Sequence, residues 1–194
     1  MMIKVCGITR REDALVAEEA GASAIGFIFY PRSTRYITPL RAAEVGKGLS
    51  ILRVGVFVDE RAEKIDAVMR AAHLDVAQVY GGTVTPGARV WQAFRVSASR
   101  LGETWERPIA NGAEAILLDG LMNGVTFNWH LARGIDGNII VAGGLNPSNV
   151  AEAIRIAQPW GVDASSSLEL APGKKDHDAV RAFVKAAREA AAVQ

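Results

Sequence analysis

The chain has a single cysteine, Cys6, among 194 residues. One thiol closes no intramolecular disulfide, which excludes a disulfide scaffold and makes a reducing compartment, the cytoplasm by default, the expected location. An excess of either charge is lacking too, because 22 Lys and Arg nearly cancel 21 Asp and Glu and leave a formal +1. That balance attracts neither nucleic acid nor an anionic membrane, so any anion must be gripped locally. No apolar run reaches the roughly 18 to 20 residues that a bilayer crossing takes. The longest, "IIVAGGL" and "AIGFIFY", have the size of buried strands. The N-terminus lacks the apolar segment of a secretory signal. His73, His130 and His177 are scattered, with no HxxxH spacing and no cysteine partner, so no metal site is expected.

What is present is a chain with 49% hydrophobic residues, long enough for one substantial core and read as a single domain over 1–194. Short apolar runs alternate with longer amphipathic or alanine-rich stretches. Strands are expected at "MIKVC", "AIGFIF", "LRVGVFV", "DVAQVY", "VWQAFRV", "EAILLD", "NIIVAGG" and "GVDAS". Each is almost continuously apolar, the pattern of strands covered on both faces. The helices between them carry start signals: Thr9 with Glu12 as a capping box, Thr38 with Pro39, and Asn146 with Pro147. Ile65, Val68, Met69 and Ala72 share one helical face, as do Val180, Phe183, Val184 and Ala187, while Arg181, Lys185 and Arg188 face water. Eight buried strands alternating with helices favour an α/β fold, a closed (βα)8 TIM barrel, over an open doubly wound sheet.

Two units are thin. Only residues 81–89, including Gly81, Gly82, Pro86 and Gly87, separate the fourth and fifth strands. A parallel crossover takes about a dozen residues, so the fourth helix is expected to be shortened or missing. The sixth unit leaves room for a short helix near Phe127 to Arg133.

In such a barrel the reacting groups gather at the carboxyl ends of the strands. The first strand ends in Cys6, the sixth in Asp119, the seventh in Gly143 and Gly144, and the eighth runs through Asp163 into Ser165 and Ser166. A free cysteine by itself marks packing. At a strand end, before a glycine and a helix start, it points to chemistry: a thiol with a pKa of about 8.5, lowered beside a cation or helix N-terminus, serves as a base or nucleophile. Asp119 closes four apolar residues, and a carboxyl at the edge of an apolar layer has its proton affinity raised, which suits a general acid. "VAGGLNPSNV" lets the backbone approach an anion ahead of a helix start, and "DASSSLE" adds hydroxyls and amides. Loops after strands seven and eight frequently bind phosphate in these barrels. In "YPRSTRYITP", Arg35 is preferred over Arg32 as the group that forks onto a substrate carboxylate. "GKKD" reads as a solvated entry to the last helix, and the four tryptophans as packing residues.

The ordered segments "KVCGITRREDALVAEEAGASAIGFIFYPRSTRYI", "VGVFVD", "ILLD", "VAGGLNPSNV" and "GVDASSSLE…PGKKD" resemble the phosphoribosylanthranilate isomerases of tryptophan biosynthesis over nearly the whole chain. The resemblance implies a (βα)8 barrel, no cofactor, a small phosphosugar as the partner, and a monomer or homodimer. It also implies an Amadori rearrangement with Cys6 as general base and Asp119 as general acid. Arg35 would then hold the anthranilate carboxylate, Asp163 the sugar hydroxyls, and Gly143, Gly144, Ser165 and Ser166 the phosphate. Three positions depart from the family pattern: Tyr80 stands for its histidine in "QVYG", Asn128 for an aspartate before Trp129, and Ser167 for the glycine of "SSG". Other readings are a different sugar-phosphate isomerase, a dual-substrate relative of histidine biosynthesis, which would be expected to use carboxylates at both positions, and a non-catalytic phosphosugar-binding barrel.

Overall fold

The structure, a computed structural model, describes residues 1–81, 89–97, 112–121 and 124–193. Eight parallel strands close on themselves in sequence order: β1 (Met2–Cys6), β2 (Ala24–Ile28), β3 (Leu52–Val58), β4 (Val76–Tyr80), β5 (Val90–Val96), β6 (Ala115–Gly120), β7 (Ile139–Val141) and β8 (Gly161–Ala164). β8 returns to β1 with Lys4 beside Asp163. The closed barrel expected from eight buried runs is the one formed, and the open sheet is excluded.

Successive residues of each strand point to opposite faces, and this sorts the apolar residues into two layers. Val54, Val76, Trp91, Ala93, Ala115, Leu117 and Ile140 fill the barrel interior. Ile3, Val5, Ile25, Phe27, Ile116 and Val141 face outward into the layer shared with the helices. At the strands' carboxyl ends the same inward row turns polar, and there the functional side chains converge.

The outer layer is completed by α1 (Arg11–Ala20), α2 (Pro39–Gly46), α3 (Ala62–Ala71), α4 (Val150–Ala157) and α5 (His177–Ala191). α5 starts where the Asp176 carboxylate accepts from the amides of Asp178 and Ala179. It buries Val180, Phe183, Val184 and Ala187 against α1 and α4, each Val or Phe stabilising the fold by about 1.5–3 kcal/mol. Thr38 caps α2 as expected, accepting from the Arg41 amide. The capping box at Thr9 does not form. The Thr9 hydroxyl donates instead to the Gly173 carbonyl, and α1 starts after Arg10 with no side-chain cap. The fourth of these helices also starts late: Asn146 accepts from the amides of Ser148 and Asn149 in a turn of its own, and α4 begins at Val150.

Among its described residues the sixth unit carries a 3₁₀ turn, Trp129–Ala132, capped by Asn128, whose side-chain oxygen accepts from the His130 amide. The expected shortening of the fourth helix falls on residues 82–88, outside the described residues. One element was not anticipated. β9 (Glu169–Ala171) and β10 (Lys174–Lys175) form an antiparallel hairpin ahead of α5, and Lys175, expected in water, is 1% exposed.

Candidate active site

A cavity of about 370 Å³ opens at the carboxyl ends of the strands. All eight residues singled out from the sequence line it: Cys6, Arg35, Asp119, Gly143, Gly144, Asp163, Ser165 and Ser166. Cys6 and Asp119 are inward-facing residues of β1 and β6, three strands apart around the closed barrel.

On the β1 side two glycines make room for the sulfur. A Cβ on Gly26 would stand 2.7 Å from Cys6 Sγ and 3.1 Å from Lys4 Cε, so β2 must present a bare backbone there. Gly7 adopts φ 76°, and a Cβ on it would meet the Arg35 side chain at 2.7 Å and Ser165 Oγ at 2.9 Å. The glycine after Cys6 is thus dictated both by a left-handed backbone and by close packing. Lys4, fully buried, donates from Nζ to Asp163 Oδ2 at 2.8 Å. Burial pulls the Lys4 ammonium down, but Asp163 and Cys6 beside it carry the net shift upward, so it stays charged. Burial also pushes the Cys6 thiol up, and Lys4 and Lys175 offset only part of that. Cys6 is 6% exposed, and desolvation outweighs its cations.

On the β6 side the hydrogen-bond donors to the carboxyl are neutral. The Tyr80 hydroxyl donates to Asp119 Oδ2 at 2.9 Å, and Gln78 Nε2 lies 3.4 Å from the same hydroxyl. The Arg95 guanidinium sits 5.8 Å above the Tyr80 ring and donates to the Leu121 carbonyl. Burial raises the Asp119 carboxyl, against hydrogen bonds from Tyr80 and the Gly120 amide and the charges of Arg95 and Lys4. Tyr80 itself is pushed well above the usual tyrosine value by burial and by the Asp119 charge, so its hydroxyl keeps its proton and acts as a donor.

The rim after β7 and β8 is built close to the backbone. Gly143 and Gly144 have φ of 80° and 66°, and a Cβ on Gly143 would stand 2.3 Å from the Gly120 amide. Ser167 does not require the left-handed backbone that glycine supplies in the family pattern, since the non-glycine residues with positive φ among the described ones are Asp59, His73 and Gln158. Its hydroxyl donates to the Leu145 carbonyl and ties the β8 loop to the β7 loop. Ser165 Oγ donates to the Cys6 carbonyl, so its hydroxyl hydrogen is already engaged. Asp163 Oδ1 is buried with no hydrogen-bond partner among the described residues.

Arg35 is not a free fork. Nε and Nη2 grip the Glu169 carboxylate at 2.6–3.0 Å, and Lys175 Nζ reaches the same carboxylate at 2.9 Å and the Ser165 carbonyl at 3.0 Å. Among the described residues Nη1 of Arg35 has no bond. Sequence reading missed Lys4, Glu169 and Lys175 altogether and took Tyr80 only as a departure. The available signal was the two-residue strand period, which puts Lys4 on the face of Cys6 and Tyr80 on the face of Gln78.

The chain matches the family described as N-(5'-phosphoribosyl)anthranilate (PRA) isomerase over residues 3–186. It is 48% identical to the N-(5'-phosphoribosyl)anthranilate isomerase of Solibacter usitatus, with 98% of each chain covered. Among solved structures, monomers of the dimeric Thermotoga maritima phosphoribosylanthranilate isomerase superpose with a TM-score of 0.87 at 40% identity, covering 97% of this chain and 99% of that one. A phosphoribosyl anthranilate isomerase in complex with reduced 1-(o-carboxyphenylamino)-1-deoxyribulose 5-phosphate gives a TM-score of 0.86 at 39% identity, with the same coverage. With the match running from β1 into α5, the chain belongs to the N-(5'-phosphoribosyl)anthranilate isomerase family.

Proposed function

We propose that Cys6 and Asp119 are the base and the acid of this isomerase of tryptophan biosynthesis, acting on N-(5'-phosphoribosyl)anthranilate. The observation that carries the reading is that the two side chains line one cavity from β1 and β6 beside a Gly–Gly turn. Asp119 protonates the furanose ring oxygen, the C1–O bond breaks, and the anthranilate nitrogen takes up the positive charge as a Schiff base. The Cys6 thiolate then removes the proton from C2, giving an enolamine that tautomerises to 1-(2-carboxyphenylamino)-1-deoxyribulose 5-phosphate. The change is internal to the substrate, so an acid and a base suffice. Asp163, with Oδ1 unpaired among the described residues, takes a sugar hydroxyl. Arg35 meets the anthranilate carboxylate through Nη1, and Gly143, Gly144, Ser165 and Ser166 surround the phosphate with close backbone. No described helix is long and apolar enough to cross a membrane; the reading places the enzyme in the cytoplasm, as a monomer or homodimer.

The two shifts set the pH dependence. Both groups are raised, Asp119 from the carboxylate range and Cys6 from the thiol range, so on titration Asp119 loses its proton first. The reactive form, acid protonated and thiol ionised, is then a minor tautomer of the singly protonated pair. Its share is constant between the two pKa values. Activity falls on the acid side as Asp119 becomes protonated in the bulk of the enzyme, and on the alkaline side as Cys6 ionises.

Steady-state assays of Cys6→Ala and Asp119→Ala test the assignment. Each is expected to lower kcat by about 10²–10⁴-fold. Undiminished turnover in either removes that residue from its role, and failure of the wild-type gene to support growth of a tryptophan auxotroph lacking the isomerase overturns the function.

A further inference from the structure

We infer that Tyr80 is a positioning residue for this reaction: its hydroxyl holds Oδ2 of Asp119, leaving Oδ1, on the Gly143 side, as the oxygen that hands its proton to the substrate. The inference rests on Asp119 being the acid. Two independent distances carry it. Tyr80 donates to Oδ2 at 2.9 Å, and Oδ1 lies 3.0 Å from the point a Cβ on Gly143 would occupy. With no side chain on Gly143 its backbone passes close to Oδ1 and to the Gly120 amide, which stands 2.3 Å from the same point, and Asp119 lines the cavity beside this turn. A carboxyl group whose Oδ2 already accepts a hydrogen bond places its own proton on the other oxygen. Tyr80 thereby decides both the direction of the carboxyl and which oxygen is acidic.

The ring is itself held. Gln78 Nε2 approaches the hydroxyl from the same strand and Arg95 covers the ring from β5. The charged groups facing Asp119 are Arg95 on β5, Lys4 on β1 and Asp163 on β8. Tyr80 makes the one side-chain hydrogen bond to the carboxyl among the described residues. A hydrogen bond to an ionised acceptor favours ionisation, so losing it raises the proton affinity of Asp119.

The test is Tyr80→Phe, which keeps the ring and deletes the donor, compared with Tyr80→His, whose ring N–H supplies another donor. The titration midpoint of the Asp119 carboxyl is followed by NMR of ¹³C-labelled aspartate, and kcat and KM are taken across pH. Tyr80→Phe is expected to raise the proton affinity of Asp119 about tenfold and move the acid limb of kcat/KM the same way. The reactive tautomer's share grows with it, but lost orientation lowers the turnover of that tautomer by more, so kcat still falls, with KM changed less. Tyr80→His is expected to restore part of both. An unmoved midpoint in a folded Tyr80→Phe overturns the inference, as does a lowered kcat that Tyr80→His does not recover. Asp119→Asn separates the two readings. If it keeps turnover, the acid assignment falls; if it abolishes turnover while Tyr80→Phe changes nothing, only the role of Tyr80 falls.

Discussion

The two sides of the cavity solve opposite problems with different materials. Beside β1 and β8, the sulfur of Cys6 lies against a buried ammonium that is itself paired with Asp163, and Lys175 adds a second buried cation. Beside β4 and β6, Asp119 is buried and takes its hydrogen bonds from a phenol and a backbone amide, with Arg95 and Lys4 acting on it as charges without a hydrogen bond. A base that must become an anion in a dry place needs counter-charge, because desolvation otherwise keeps it neutral. An acid needs less: a neutral donor orients it while favouring its ionisation less than a full counter-charge in contact would. The bell-shaped pH profile expected for the pair makes the contrast measurable, since its alkaline limb belongs to the charged side and its acid limb to the neutral side.

Removing Lys4 strikes the charged side hardest. Lys4→Met strands the Asp163 carboxylate with no cation at 2.8 Å, and breaking a buried pair from one side costs about 3–5 kcal/mol. Urea unfolding reads that loss. The double variant Lys4→Met/Asp163→Leu is expected to recover much of it, because an apolar pair of similar volume carries no uncompensated charge. Lys4 lowers the thiol, so in a folded Lys4→Met enzyme the alkaline limb moves up. A limb that stays in place ends the view that this side is controlled by charge.

Gly26→Ala tests the same side through space instead of charge. The new methyl would stand 2.7 Å from Cys6 Sγ and 3.2 Å from Cys6 Cα, so the thiol and its strand must give way. A displacement of about 1 Å in a reacting group costs about 10²-fold in rate. The expected outcome is a fall in kcat of that order, with both limbs of the profile unmoved, measured beside the Lys4 variant. A limb that shifts as far as it does in Lys4→Met shows that packing and charge are not separable there.

The same contrast explains what the sequence made legible. The eight strands could be read because burial on both faces leaves near-continuous apolar runs, and Cys6 and Asp119 because each ends such a run. Lys4 and Lys175 could not, since a lone lysine reads as solvated unless its partner is known. Asp163 lies 159 residues from Lys4, and the hairpin that brings Glu169 under Lys175 follows no apolar period. Long-range capture also spoiled two local readings. Thr9 was drawn from its capping box by a carbonyl 164 residues away, and Arg35, read as an open fork, was taken by Glu169. Polar residues at inward positions of a closed barrel are assigned by neighbours across the bore, which only the closed topology supplies.

The smallest effect is expected on the neutral side, from Arg95. Its charge lowers Asp119, yet the side chain is exposed and the charge is screened by solvent, so its influence lies within the roughly 0.2–1 kcal/mol typical of exposed pairs. Arg95→Met keeps the apolar stem over the Tyr80 ring and deletes the charge. Without the cation the ionised carboxyl is less favoured, the Asp119 pKa rises, and the acid limb moves up by a few tenths of a unit. The alkaline limb stays where it is, because Arg95 is not among the main influences on Cys6. A shift of the acid limb as large as that expected for Tyr80→Phe would mean that charge, and not a neutral donor, governs the acid, and the two sides of the cavity would then be built alike.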